Sequence, residues 1–382
     1  MATRVFVKVE LLEWAYNRAS NKEKLHKKFK NLDKWLEGKL RPTFKQLEEF
    51  SKSTATPLGY FFLQHPPIER LPIPHYRTLE DSISDTASPD LIETLYTMQR
   101  RQDFMRDYYE KYIGDPLSFV GSYRGQSVVE LVNKIRQLLD LEFDWARKNK
   151  NFHDAIRFLV NRCEENRIMI MINGVVGSNT HRRLNVEEFR GFVLVDDFAP
   201  LIFINGADAK SAQIFTLIHE IAHIIIGSSA IVEASPLNKV NDLLEKFCNQ
   251  AAAELLCPKD SFIRDWHTHY GDKHLYKTLG GVFKVSPLVI GRRALELSLI
   301  TKAEFFEFYN KYIEELKMEQ KISSSGGDFF NTTRVRLGDL FSRVVIYQTQ
   351  SGDIQHTTAQ RLTGLKSSSF QKYIRFLNER RM

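Results

Sequence analysis

The chain has 382 residues, 43% hydrophobic and 12% aromatic; this is enough apolar material to core two or three domains and excludes a largely disordered chain. No apolar run reaches the roughly 18 to 20 residues of a membrane helix, and the start, MATRVFVKVELLEW, lacks the apolar stretch of a secretory signal. The net charge of +7 sits in the ends. Residues 1–80 hold fifteen Lys/Arg against nine Asp/Glu, residues 325–382 nine against four, and the middle 30 against 34. Three cysteines, Cys163, Cys248 and Cys257, are no disulfide framework and point to a reducing, cytoplasmic setting.

Taken in chain order, 1–63 reads as a module of short helices. Leu11, Leu12 and Ala15 space helically, as do Leu25, Phe29 and Leu32, and Thr43 is placed to cap a helix whose stripe is Phe44, Leu47 and Phe50. A proline-rich linker follows over 64–82, then a helical region over 83–165. The period then changes. Ile168–Ile172, Phe189–Val195 and Pro200–Ile204 are short, β-rich strands. Ala207–Ile226 and Asn238–Leu256 are helices within a domain spanning 166–320. Ser323 to Gly327 is a joint of small residues, and 328–382 is a basic helical module.

The chemistry concentrates in His219-Glu220-Ile221-Ala222-His223, inside FTLIHEIAHIIIG. Histidines at i and i+4 share one helix face and converge on one point. Neutral imidazole suits Zn²⁺, and a glutamate one residue after the first histidine can serve as a base. The surrounding helix is apolar, so two histidines and a carboxylate there are costly to bury without a metal or partners. An open zinc site needs a third protein ligand. Glu245, Cys248 and Asn249 share a face of the next helix. Glu245 suits the ligand role and Asn249 a hydrogen bond behind a ligating histidine. Asp242, Glu254 and Cys248 are rivals, and spacing alone does not choose.

The runs Glu188-Phe189-Arg190-Gly191-Phe192 and Ala199-Pro200-Leu201-Ile202-Phe203-Ile204-Asn205, then FTLIHEIAHIIIG, then Glu245 through Asn249 to AAELLCP resemble the ImmA/IrrE family of zinc metallo-endopeptidases. The likeness is dense over 185–260 and looser elsewhere; the N-terminal module resembles the Xre-like helix-turn-helix of long members. It implies an α+β, mostly helical chain: a zincin-like protease domain with a small sheet, flanked by helical terminal modules. It implies Zn²⁺ on His219, His223 and Glu245, with Glu220 as catalytic base. The implied substrate is a helix-turn-helix transcriptional repressor or antitoxin, cleaved in stress response or mobile-element regulation.

Leu201, Ile202, Phe203 and Ile204 lead into the catalytic helix and are expected to form the edge strand that pairs with an extended peptide. His267, His269, Tyr270 and His274 are candidates for stabilising the oxyanion. In 32–63 the spacing leaves barely one turn where a full recognition helix belongs, so 1–63 is expected to hold a protein partner. DNA contact through the basic ends is expected to be weak, salt-sensitive and non-specific. Thr358 to Tyr373 reads helix, glycine turn, helix. Two other functions compete with the protease: a DNA-binding regulator whose metal site senses, and a protease toxin held by an antitoxin. Glu220 favours an enzyme, because a sensor needs ligands but no base between them.

Overall fold

The computed structural model describes residues 4–19, 22–67, 87–125, 127–232, 243–319 and 328–379. Most of the proline-rich linker, the joint at 323–327 and Asp242 lie outside them. The described residues divide into two compact units, one up to Thr97 and one from Met98.

The first unit holds α1 (Val9–Asn17), α2 (Lys22–Lys28), α3 (Leu32–Leu36), α4 (Phe44–Ser53) and a short 3₁₀ turn (Leu58–Phe62). Leu11, Leu12, Leu25, Trp35, Leu47 and Phe50 meet in its core. Thr43 caps α4 by a reciprocal capping box with Gln46. Helix α3 is only five residues long, the single turn that the spacing predicts. Residues up to Thr97 also include the start of α5 (Pro89–Tyr112).

The second unit continues with the rest of α5, then α6 (Val128–Leu139), α7 (Trp145–Lys148) and α8 (Phe152–Glu165). The strands are β1 (Met169–Asn173), β2 (Val175–Val176), β3 (Asn179–Arg183), β4 (Gly191–Leu194) and β5 (Leu201–Asn205). Then come α9 (Lys210–Ile226), β6 (Ala230–Val232), α10 (Leu243–Leu256), α11 (Lys259–Thr268), α12 (Leu275–Phe283), α13 (Pro287–Glu296) and α14 (Lys302–Glu319). The chain closes with α15 (Phe329–Leu337), α16 (Asp339–Gln350), α17 (His356–Thr363) and α18 (Ser367–Glu379). The result is α+β and mostly helical.

The main sheet runs β1-β5-β4-β6, with β1 parallel to β5 and the other pairs antiparallel. Every residue of β1, β4 and β5 is buried, as expected of strands covered on both faces. The pleat still sorts them. Ile170, Ile172, Val193, Ile202 and Ile204 join the core built with α6, α8, α9 and α10. On the other face, Phe192 stacks on Phe203 with centroids 5.0 Å apart, and Met171 Sδ meets the Arg101 guanidinium of α5 at 3.3 Å. Gln102, also of α5, donates to the carbonyls of Leu194 and Ala199. Helices α6 and α8, from the segment read as a separate helical region, share the core of α9.

One expectation is overturned. Leu201, Ile202, Phe203 and Ile204 are not an edge strand: β5 pairs with β1 on one side and β4 on the other. Both ladders are filled, so no peptide can add there. The edge position beside β4 belongs to β6, and the β2–β3 hairpin is a second addition to the expected strands.

Candidate metal centre

Helix α9 positions the motif. Twelve of its seventeen residues are buried, and its entry is held by Gln213, whose amide donates to the carbonyls of Gly206 and Asp208. Its exit is shaped by Gly227, at φ +88, the left-handed conformation that closes helices and suits glycine. A Cβ there would also stand 2.9 Å from the Gly121 Cα. The approach has a purpose: the loop at 117–123 donates backbone N–H groups from Gly121 and Tyr123 to the carbonyls of Ile224 and Ile225, satisfying groups a helix end leaves open. Tyr123 stacks on Phe247 of α10, and Arg136 of α6 donates to the Leu255 carbonyl. Helix α10 is thus fixed beside α9.

This packing brings His219, His223 and Glu245 together, with one donor atom of each within 4.8 Å of the others. The two Nε2 atoms are 3.0 Å apart. Glu245 sets one oxygen 3.1 Å from His219 Nε2 and the other 3.0 Å from His223 Nε2. All three side chains are buried. Burial pushes the Glu245 carboxyl up, but the two imidazoles set against its oxygens outweigh it and hold it down at about 2. Three ligand atoms from two imidazoles and one carboxylate are a zinc-type donor set. Two nitrogens each 2.0–2.1 Å from a tetrahedral ion would stand about 3.3 Å apart, close to the spacing here, so the three residues fit a metal ion.

Glu220 lies on the same helix, fully buried, and neither carboxylate oxygen meets a hydrogen-bond partner among the described residues. Burial first, and then the Glu245 charge, push its carboxyl well above the ordinary range. Gly191 of β4 packs against it: a Cβ there would stand 2.6 Å from Thr216 Cγ2, 2.8 Å from the Phe203 carbonyl oxygen and 3.4 Å from Glu220 Oε1. Only glycine lets β4 pass this close, a role the sequence reading leaves unassigned although Gly191 stands in the quoted motif.

The remaining candidates lie elsewhere. Asn249 is half-exposed, and His219 Nδ1 meets no hydrogen-bond partner among the described residues. Cys248 packs in the core. Glu254 pairs with Arg293 of α13. His269, just past the end of α11, bonds the Asp265 carbonyl of that helix, and His267, Tyr270 and His274 are exposed.

Residues 163–295 match the family model described as the IrrE N-terminal-like domain (Peptidase_M78). This stretch is therefore similar to a metallopeptidase domain of the IrrE/ImmA type, a metal-dependent family, and it contains the whole His219–His223–Glu245 group. It covers about a third of the chain. Residues 337–376 match a domain of unknown function (DUF8813), which spans α16, α17 and most of α18. No curated protein matches the chain. No described helix is long and apolar enough to cross a membrane.

Proposed function

We propose that the chain is a zinc-dependent endopeptidase whose ligands are His219, His223 and Glu245. The observation that carries this reading is a buried, unpartnered Glu220 carboxylate beside a zinc-type donor set. A carboxylate left without partners in a core is costly, and a reaction that loads and unloads a proton there gives it work. A bound divalent cation supplies Lewis acidity toward the scissile carbonyl. Glu220 takes the proton of the attacking water and passes it to the leaving amine. An extended substrate segment adds to β6, the edge of the sheet among the described residues; Val232 of β6 pairs with Gly191, the residue packed on Glu220.

The proposed substrate is a helix-turn-helix repressor or antitoxin in the cytoplasm, supported by the likeness to the IrrE-type domain and by three cysteines that form no disulfide. The test is Glu220→Gln, which keeps the shape and removes the base. Cleavage of a validated protein substrate should fall by about 10² to 10⁴-fold, while bound zinc, read by elemental analysis, stays at the wild-type level. Cleavage at the wild-type rate would sink the mechanism.

A further inference from the structure

The C-terminal helices α17 and α18 carry a face that the protease reading does not use. They are joined by three residues, Gly364 to Lys366, with Gly364 at φ +72, a helix-turn-helix connection. Helix α17 lies against α16 and α18, and Phe341 and Val345 of α16, Ala359 of α17 and Phe370 and Tyr373 of α18 are all buried. The Tyr373 hydroxyl lies 2.9 Å from Ser342 Oγ, and the ring of His356 meets Phe370 edge-on. The buried stripe of α18 is Phe370, Tyr373 and Ile374. Its exposed residues Ser367, Ser368, Gln371, Lys372, Arg375, Asn378 and Glu379 recur at i, i+1, i+4, i+5, i+8, i+11 and i+12, one continuous helix face.

That face is cationic in excess: its one acidic residue, Glu379, stands at the last position of α18. Between Asp353 and Glu379 the chain has no acidic residue, yet it holds Arg361, Lys366, Lys372 and Arg375. All four are exposed, and none forms an ion pair with a described residue. Unpaired like charges on one surface repel, and a polyanion that releases its counterions relieves that repulsion. The shape selects among polyanions. Helix α18 has thirteen residues, about 20 Å of helix at 1.5 Å per residue, and a major groove about 12 Å wide admits an α-helix. Hydroxyls and an amide lie among its cations, suited to base edges as well as phosphates. The expectation of weak contact rests on the spacing in 32–63, which leaves no room for a full recognition helix; α3 is five residues long, a limit that α18 does not share.

We infer that α17 and α18 dock duplex DNA, with α18 in the major groove, Lys372 and Arg375 on phosphates, and Arg361 and Lys366 on the flanking backbone. This site does not depend on the protease reading.

The test uses the full chain and a fluorescent duplex of randomised sequence, read by anisotropy over a salt series. Lys372→Glu with Arg375→Glu should weaken binding at least tenfold and flatten the log–log salt slope by about 0.9 for each phosphate that is no longer neutralised. Lys27→Glu with Lys30→Glu makes the same charge change on the N-terminal unit and should leave binding near wild type. Lys372→Gln with Arg375→Gln repeats the measurement if circular dichroism shows the first variant unfolded. Undetectable binding at low salt, equal loss in both charge-reversed pairs, or displacement by polyglutamate as readily as by duplex of equal charge would each overturn the inference. Glu220→Gln should bind DNA as the wild type does, so the two readings fail separately.

Discussion

Helices α9 and α18 both set polar side chains on an amphipathic frame, and they treat them in opposite ways. In α9 the polar residues His219, Glu220 and His223 are fully buried; in α18 the cations Lys372 and Arg375 are exposed. A buried polar group costs free energy unless it is satisfied, so its presence demands a specific partner. An exposed cation costs little and admits many explanations. The difference teaches why one site announces itself in the sequence and the other needs the fold: the information lies in the environment that the residues are forced to share.

The sharpest way to break the comparison is to empty the α9 face. His219→Ala with His223→Ala removes two of three donors. Bound metal should fall from about one equivalent to background by elemental analysis, and cleavage should vanish with it. Retention of a full equivalent would show that the metal is held elsewhere.

The next effect is on stability. Ile221 lies between the histidines, fully buried in the core that joins α9 to α6, α8 and α10. Ile221→Ala should cost about 2 to 5 kcal/mol by transfer and cavity formation, measured by chemical denaturation.

How far the sequence reaches follows from the same contrast. The strands are legible: Ile168–Ile172, Phe189–Val195 and Pro200–Ile204 are the expected runs, and β1, β4 and β5 fall within a residue or two of them, because continuous β-branched and aromatic runs reflect burial on both faces. Their order is not legible. Whether Leu201–Ile204 is inner or outer depends on hydrogen bonds to segments distant in the chain. One clue is present: Leu201–Ile204 carries no charge to blunt an open edge. The histidine pair is local and visible at once. The approach of Glu245 depends on how α10 packs, and among several acidic neighbours only the family resemblance singles it out. Gly191 is quoted as part of a motif, but its reason, a strand passing over Glu220, is a tertiary fact.

A smaller effect distinguishes a third kind of carboxylate, half-buried and held by backbone. Glu164 of α8 accepts from the Leu340 N–H at the start of α16. Burial, partly offset by that bond, raises its carboxyl from the ordinary 4.5 to about 7. A raised folded-state pKa favours the protonated form in the native protein. Its stabilising contribution is therefore complete below pH 4.5 and lost as pH rises through about 7. Glu164→Gln keeps an acceptor and cannot ionise. The melting temperature of the variant should be flatter than wild type across that window, and higher by a few degrees at its upper end, at roughly 2 to 4 °C per kcal/mol. Parallel pH profiles would show that the group ionises freely in the fold.

The smallest expected effect belongs to α18 and has the opposite sign from that in α9. Lys372 and Arg375 stand at i and i+3 on an exposed face, where like charges destabilise a helix by roughly 0.2 to 0.5 kcal/mol. Alanine is also the better helix former. Lys372→Ala should therefore leave the melting temperature unchanged or raise it slightly, whereas Ile221→Ala lowers it steeply. Adding duplex DNA should reverse the order. A ligand that binds only the native state stabilises it by RT ln(1 + [L]/Kd), so the wild type, which binds more tightly, should gain more than the variant. A calorimetric scan of both proteins with and without duplex reads this directly. If Lys372→Ala lowers the melting temperature without DNA, the side chain supports the fold. The cationic face would then be structural, and the contrast between the two helices would lose its functional meaning.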